Sequence, residues 1–465
     1  MAADIKTTLT EFFRCPECFI NLHLKGEVSG EGTFFKFGDD TICYGRTSLA
    51  FPMPRDFADL HDVLGGTTID GAAVGLPFDP TEVTNNLRLE RYVSGLPGGQ
   101  SPFLRKSRRD LYYLVRSLIP AAARRRLQKA ALRDWRKRTF PRWPVDRTVE
   151  TLHQRLLALA MKAQGIETIP FIWFWPNGAR GCAIVTHDVE TAQGQDFCSA
   201  LMDLDDSFGV KSSFEVIPGA RYRVSQEFVD GLRARGFEVA VQDLKHDGKL
   251  YRSRDGFYRQ VREINRIIAR YKARGFRAGG LYRNPEWYDA LEASYDMSIP
   301  NVAHLDPQRG GCCTVFPYFI GRVLELPVTL TQDHSLFYIL GDYSIELWRK
   351  QVALILEKNG LVSVIVHPDY VRSERAQRTY ATLLEHLVKL RSDDRIWICL
   401  PSEVDAWWRV RRNLRLVNDQ GRWRVEGEGK ERAQVAYAIL RGDEISYTIP
   451  GEEESHEYKL PGRDV

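Results

Sequence analysis

Short β-branched runs alternate with longer helical segments between residues 168 and 405, and this alternation constrains the fold of the 465-residue chain most strongly. Strands that alternate with helices indicate βαβ units and a parallel sheet. About eight such units in about 235 residues predict an α/β fold, a distorted (β/α) barrel of about seven or eight strands. The predicted strands are residues 183–186, 213–217, 238–241, 277–282, 297–302, 322–329, 362–367 and 396–400.

The sequence on either side of this alternation predicts three further parts. Residues 1–104 carry Gly-rich turns between short apolar runs, which indicates a small irregular β-containing domain. Residues 105–165 have apolar positions at helical spacing, broken by prolines, so we expect a basic helical segment. The barrel then occupies residues 166–405, and residues 406–465 are predicted to form a C-terminal β appendage.

Composition excludes several classes of protein. With 43% hydrophobic and 27% charged residues, the chain is typical of a globular protein rather than a disordered one. No run approaches the roughly 18 apolar residues of a membrane span, and the first residues lack the apolar core of a secretory signal. Eight cysteines are too few for a disulfide scaffold, and Cys15-Pro16-Glu17-Cys18 lacks the second pair of a zinc ribbon. We therefore predict a cytoplasmic protein.

Positive charge is concentrated in residues 105–147, which hold fifteen Lys and Arg against three Asp. Three interpretations are open. The favoured one is a solvated helical linker that packs on the acidic remainder of the chain. A membrane-surface helix has a similar composition and would place the protein peripherally on the inner face of the membrane. A nucleic-acid partner is not expected, because no recognised binding module accompanies the basic residues.

Polar residues follow three of the predicted strands, where the reactive groups of a (β/α) barrel lie. Asp188 and Glu190 share one face of a strand end, and two such carboxylates repel unless a cation or a proton lies between them. The alternative is a pair of ordinary solvated acids. Gln242 and His246 are four residues apart, as metal ligands often are, although an isolated loop histidine is the simpler interpretation. His367 precedes Pro368 and is either a proton donor or a core histidine.

Taken in order, these residues resemble the five motifs of the polysaccharide deacetylase family, the carbohydrate esterases that act like chitooligosaccharide deacetylases. The resemblance covers roughly residues 180–405. The matching stretches are Thr186-His187-Asp188-Val189-Glu190, Gln242-Asp243-Leu244-Lys245-His246, Phe276-Arg277-Ala278, Thr331-Gln332-Asp333-His334 and Val364-Ile365-Val366-His367.

The resemblance implies a hydrolase that removes an N-acetyl or N-formyl group from an amino-sugar glycan or its precursor, in the context of cell-envelope polysaccharide. It implies a divalent metal ion, zinc or similar, with Glu190, His246 and Gln242 as ligands. Asp188 would be the base that takes a proton from water, and His367 the acid that protonates the departing amine.

Two further residues have supporting roles by the same resemblance. Arg277 would keep Asp188 ionised and oriented, and Asp333 would raise the basicity of the histidine acid.

One residue departs from the family pattern. Gln242 stands where the family has its first metal-binding histidine, and an amide oxygen is a poorer ligand than imidazole for zinc-like ions. A harder ion, or a third ligand from Asp243 or Asp247, would accommodate this change. The alternative function is a catalytically impaired, deacetylase-like protein that binds glycans or assists polysaccharide assembly.

Overall fold

The computed structural model describes residues 7–96, 121–219, 221–393 and 396–450. The strands in this part of the chain are β1 (Leu22–Leu24), β2 (Thr33–Lys36), β3 (Ile42–Gly45), β4 (Thr68–Asp70), β5 (Ala73–Leu76), β6 (Thr168–Ile172), β7 (Cys182–Val189), β8 (Ser213–Val216), β9 (Glu238–Gln242), β10 (Gly275–Arg277), β11 (Tyr295–Asp296), β12 (Tyr318–Ile320), β13 (Val323–Glu325), β14 (Leu361–Ile365), β15 (Trp397–Ile398), β16 (Arg415–Asp419), β17 (Arg422–Glu426), β18 (Val435–Arg441) and β19 (Glu444–Thr448). The α-helices are Thr7–Phe13, Pro80–Arg88, Ala121–Ala131, Thr148–Gln164, Ala192–Ser207, Gln226–Ala234, Arg254–Tyr271, Glu346–Leu356, Glu374–Asp393 and Pro401–Asn413.

A nine-stranded sheet forms the centre of the fold. Its order is β12-β13-β11-β10-β9-β8-β7-β14, and β15 pairs with the start of β7. Every pairing is parallel except that between β12 and β13. Eight parallel strands with surrounding helices confirm the predicted α/β class and the distorted (β/α) barrel.

Residues 328–330, which belong to no regular strand, lie between the chain after β11 and strand β14. The Asn301 N–H donates to the carbonyl of Val328 at 2.8 Å, and the Leu330 N–H donates to the carbonyl of Ser363 at 3.1 Å. These bonds link the chain after β11 to β14. The barrel is therefore completed by a distorted segment rather than by a regular strand.

The burial of the strands and the amphipathic pattern of the helices explain why helices pack around the sheet. All eight residues of β7 are buried, as expected for a parallel strand covered on both faces. The helix Arg254–Tyr271 buries Phe257, Val261, Ile264 and Ile268, which recur every three or four positions and form one apolar face.

The strand predicted at residues 277–282 ends much earlier, at Arg277. The chain turns at Gly279–Leu281, where Gly280 has a φ of 62° and Leu281 a φ of 54°. A Cβ atom on Gly279 would lie 2.8 Å from both Asp243 and His246, so this position tolerates only glycine. The turn therefore brings the chain after β10 against the loop after β9.

The flanking regions pack on the barrel. Strand β18 pairs antiparallel with both β6 and β19, so the predicted C-terminal appendage forms a sheet with β6, a strand at the start of the range predicted for the barrel. One hydrophobic cluster runs from Leu9 to Ile449. The predicted domain boundaries stay a prediction.

Among the described residues, no helix is long and apolar enough to cross a membrane. Residues 97–104 of the predicted N-terminal domain and residues 105–120 of the basic segment lie outside the described residues.

Arg411 joins three distant parts of the chain. Its guanidinium is 1% exposed and donates to the carbonyls of Phe12, Ile172 and Trp173 at 2.9, 2.7 and 3.0 Å. Burial lowers the pKa of Arg411 well below its ordinary value, but these carbonyl oxygens compensate part of the lost hydration. The side chain therefore ties the first helix to β6.

We expect Arg411→Ala to lower the free energy of unfolding by about 3 kcal/mol, because it leaves several buried carbonyls without a donor. Urea denaturation measures the change. The matched control is Arg412→Ala, whose side chain is 49% exposed and should cost no more than about 0.5 kcal/mol. Equal effects of the two substitutions would contradict a structural role for Arg411.

Candidate active site

The predicted site residues meet at one rim of the barrel. Asp188 lies near the end of β7, Gln242 at the end of β9 and Arg277 at the end of β10. Glu190, His246 and His367 lie in loops, and Asp333 begins the helical turn that continues into residues 335–340. These residues are far apart in sequence and converge because parallel strands end on the same side of the sheet.

Asp188 is held by two buried donors. Arg277 donates to its Oδ1 at 2.5 Å, and the Gln242 amide nitrogen donates to its Oδ2 at 2.8 Å. Arg277 is itself fixed, because it also donates to Thr186 Oγ1 at 2.9 Å and to the Met297 carbonyl at 3.0 Å. A fully buried guanidinium therefore fixes the carboxylate in one orientation.

Glu215 is a further acidic residue here that the sequence analysis missed. Its Oε2 lies 3.5 Å from Arg277 and accepts a hydrogen bond from the His187 backbone N–H at 2.9 Å. Burial raises the pKa of Glu215, and the nearby charge of Asp188 adds to the shift. When Glu215 is neutral, the positive charge of Arg277 is balanced by Asp188 alone.

Asp333 holds His367 through both of its carboxylate oxygens. The His367 Nδ1 lies 2.6 Å from Oδ1, and the His367 backbone N–H donates to Oδ2 at 2.8 Å. Burial disfavours the imidazolium, but the charge and hydrogen bond of Asp333 outweigh it and raise the pKa of His367 to about 10. The other ring nitrogen, Nε2, lies 3.9 Å from Asp188 and 3.8 Å from Glu190.

Glu190 and His246 form the second pair at the rim. Glu190 Oε1 lies 2.8 Å from His246 Nε2, and Arg221 lies 3.6 Å from the other oxygen. Although burial favours the neutral carboxyl, the charge of His246 holds the pKa of Glu190 well below its usual range. For the same reason the pKa of His246 is raised in spite of its burial.

The residues at this rim fit a divalent ion, although no group of three His, Cys, Asp or Glu in the described ranges is arranged to hold a metal. The third candidate ligand, beside Glu190 and His246, is the side-chain amide of Gln242. Gln242 Oε1 and His246 Nδ1 are buried without a hydrogen-bond partner, and His246 Nε2 lies 2.8 Å from Glu190 Oε1. Together with Glu190, these atoms are the oxygen and nitrogen donors that a divalent ion accepts.

The alternative third ligands are engaged in local turns. Asp243 Oδ1 accepts from the Leu244 N–H at 2.6 Å, and Asp247 Oδ1 accepts from the Lys249 N–H at 3.0 Å. Asp243 and His246 both have a φ of 51°, a left-handed conformation that costs free energy in residues with a side chain. This bend turns the chain back toward Gly279.

Asp369 also acts on the site, and the sequence analysis did not assign it. It accepts from the Glu190 N–H at 3.4 Å and from the Thr191 hydroxyl, and it lies against Gly194 at the start of the helix Ala192–Ser207. It thereby fixes the turn that carries Glu190. The only feature of the sequence that could have indicated a role for Asp369 is its position two residues after the predicted acid, His367.

Solved structures are similar to about half of this chain. A Mycobacterium smegmatis protein assigned as a polysaccharide deacetylase has a TM-score of 0.43 and 18% identity, covering 54% of this chain and 97% of its own. The Puue allantoinase has a TM-score of 0.41 and 12% identity, covering 50% and 92%. For the catalytic domain of a Eubacterium rectale peptidoglycan N-acetylglucosamine deacetylase the values are 0.31, 15%, 48% and 90%.

Polysaccharide deacetylases are thus among the solved structures to which this half of the chain is similar. No protein-family model matches the chain, and no curated protein matches it by sequence.

We expect Asp333→Asn to lower the pKa of His367 from about 10 to its ordinary 6.5 or below, because burial then acts without an opposing charge. A proton NMR titration of the imidazole, with chelator present, measures this change. An unchanged titration would show that Asp333 does not set the protonation of His367.

The same pair has a predictable effect on stability. Since the pKa of His367 in the folded state lies above 6.5, the stabilisation is complete below about pH 6.5 and is lost as the pH rises to about 10. The free energy of unfolding should therefore fall more between pH 7 and about pH 9 in the parent than in Asp333→Asn.

Proposed function

We propose that this protein is a metal-dependent hydrolase that removes an N-acetyl or N-formyl group from an amino-sugar glycan or its precursor. One observation supports this most directly. The carboxyl group of Asp188 and the imidazole of His367 lie 3.9 Å apart, beside the pair formed by Glu190 and His246. A base, an acid and a set of metal ligands at one rim are the groups that amide hydrolysis requires.

Glu190, His246 and Gln242 would hold the divalent ion. When bound, the ion supplies an activated water and polarises the amide carbonyl. Asp188 would receive the proton of that water, and the hydrogen bond from Arg277 holds its carboxyl group in place. Its oxygens already accept one hydrogen bond each, and each retains a lone pair for the proton.

His367 donates the second proton. Its raised pKa keeps the ring protonated at neutral pH, and Asp333 holds Nδ1, so Nε2 is the nitrogen that faces Asp188 and Glu190. As the new C–O bond forms and the C–N bond breaks, this proton passes to the departing nitrogen. The products are acetate or formate and a free amine on the sugar.

A second candidate function is supported by Gln242. Its amide nitrogen donates to the oxygen of Asp188 that is nearest to His367, whereas an imidazole ligand would leave that oxygen free for water. This contact favours a catalytically impaired protein that binds glycans or assists polysaccharide assembly.

We expect Asp188→Asn and His367→Ala each to lower deacetylase turnover at least about 100-fold, because each removes a proton-transfer group. Acetate release from chitin oligomers measures turnover. Asp419→Asn and His61→Ala, in the C-terminal and N-terminal regions, are the matched controls and should retain the parent rate. If either site variant keeps most of the parent rate, the proposed roles are wrong.

We expect Gln242→His to bind zinc at least about tenfold more tightly than the parent, because imidazole is the better ligand for this ion. Competition with a chromogenic chelator measures the affinity. The double variant with His246→Ala should lose the gain if both residues contact one ion. Unchanged zinc affinity in Gln242→His would contradict a metal site at this rim, whatever the catalytic activity.

A further inference from the structure

The helix Ala121–Ala131 and the residues after it form a strongly basic surface. Residues 121–142 contain nine Lys and Arg against one Asp, a formal charge of +8, whereas the whole chain carries only +4. The side chains of Arg126, Lys129 and Arg133 are exposed. The positive charge is therefore a local property of this surface and not of the protein as a whole.

The rest of the described chain does not neutralise these cations. Asp134, the one acid of the stretch, lies 2.9 Å from Lys137, and both of these side chains are exposed. Neither Arg126 nor Lys129 makes an ion pair with a described residue. A linker packed on acidic residues would have such partners, so the charge of the helix remains available to a partner outside the chain.

An apolar side chain lies among the charges. Leu127 is 49% exposed, one of three large apolar side chains that are exposed in the described part of the chain. Ala123 and Ala130 are also exposed and lie on the same side of the helix, since residues three and four positions apart are neighbours. Helices that lie on membranes combine basic side chains with an apolar side that enters the headgroup layer.

Aromatic contacts attach this surface to the barrel. The ring centroid of Trp135 lies 4.8 Å from that of Trp143, which stacks on His304 at 5.8 Å. Arg138 donates to the carbonyl of His304 at 2.6 Å. The chain that follows the helix is therefore held on the loop after β11.

The helix also adjoins the rim of the barrel. Cα atoms of Ala121–Ala131 lie within 8 Å of those of the turn Ser335–Leu340. This turn closely follows Asp333, which holds His367. A partner bound to the helix would therefore lie beside the candidate active site.

We propose that the helix Ala121–Ala131 and the turn Trp135–Lys137 bind the surface of a membrane that contains anionic phospholipid. The positive charge of the segment is complementary to acidic headgroups, which attract each Lys or Arg near the surface. Leu127 enters the boundary between headgroups and acyl chains, where its exposed atoms leave water. The inference does not depend on the proposed hydrolysis.

Nucleic acid is the other partner that such a charge attracts. Its phosphates would bind the cations, but a phosphate backbone offers an exposed leucine no apolar environment. The position of Leu127 among the cations therefore favours the membrane, and the test below separates the two.

The test measures co-sedimentation of the full-length protein with vesicles of phosphatidylcholine alone, and of phosphatidylcholine and phosphatidylglycerol in equal parts. We expect binding to the anionic vesicles only, and weaker binding as salt is added. The combined variant Arg126→Ser, Lys129→Ser and Arg133→Ser should lower the partition coefficient at least about tenfold, because it removes three attracted cations. Leu127→Ser should lower it about fivefold, because less apolar surface leaves water.

The matched controls make the same kinds of change elsewhere. The combined variant Arg259→Ser, Arg262→Ser and Arg270→Ser removes three exposed cations from the helix Arg254–Tyr271. Ile69→Ser removes an apolar side chain that is 52% exposed. Both variants should bind the anionic vesicles as the parent does. Thermal unfolding midpoints within a few degrees of the parent show that a variant is folded.

Three results would overturn the proposal: no binding of the parent to the anionic vesicles, equal binding to vesicles of phosphatidylcholine alone, or equal losses in the two combined variants. If Leu127→Ser binds as tightly as the parent, the proposed role of this leucine is wrong. A double-stranded oligonucleotide is titrated in parallel. Binding of the parent to the oligonucleotide but not to the vesicles would assign the basic surface to nucleic acid instead.

Discussion

The buried guanidinium of Arg277 is the interaction on which the site depends. It is fully buried, pairs with Asp188 at 2.5 Å and lies 3.5 Å from Glu215. Its charge compensates the carboxylate of Asp188, because an unpaired buried carboxylate is strongly disfavoured. The orientation of Asp188 follows from this contact, and so does the side of Asp188 that faces His367.

Regions outside the barrel support the loops that form the rim. Glu90, from the N-terminal region, forms a buried ion pair with Arg283, six residues after Arg277, and accepts from the Gly311 N–H at 2.6 Å. The Asn301 side chain donates to the Asp146 carbonyl at 2.7 Å and accepts from the Asp146 N–H at 2.8 Å. The loops that follow β10 and β11 are therefore held from outside the barrel, which fixes the neighbourhood of the site.

The contact between Asp333 and His367 has several structural consequences. The carboxylate binds both the ring and the backbone of His367, and the residue after it donates back to the same carboxylate. The protonation of the histidine and the course of the chain at His334 and His367 both follow from this small set of hydrogen bonds. A substitution at Asp333 therefore affects the electrostatics of the site together with its local geometry.

The sequence alone determined the barrel, because the alternation of strand and helix patterns is a local property of the chain. It also indicated several of the residues that gather at the rim, since groups that follow parallel strands end on one side. Local patterns did not reveal where β10 stops, because that depends on the contact of Gly279 with Asp243 and His246.

The tertiary structure alone decided what Gln242, Glu215 and Asp369 contact. Their partners are, respectively, Asp188, Arg277 and the turn at Glu190, which lie between 54 and 179 positions away in the chain. The interactions of these side chains depend on residues that folding brings near them, and no local sequence pattern encodes those contacts.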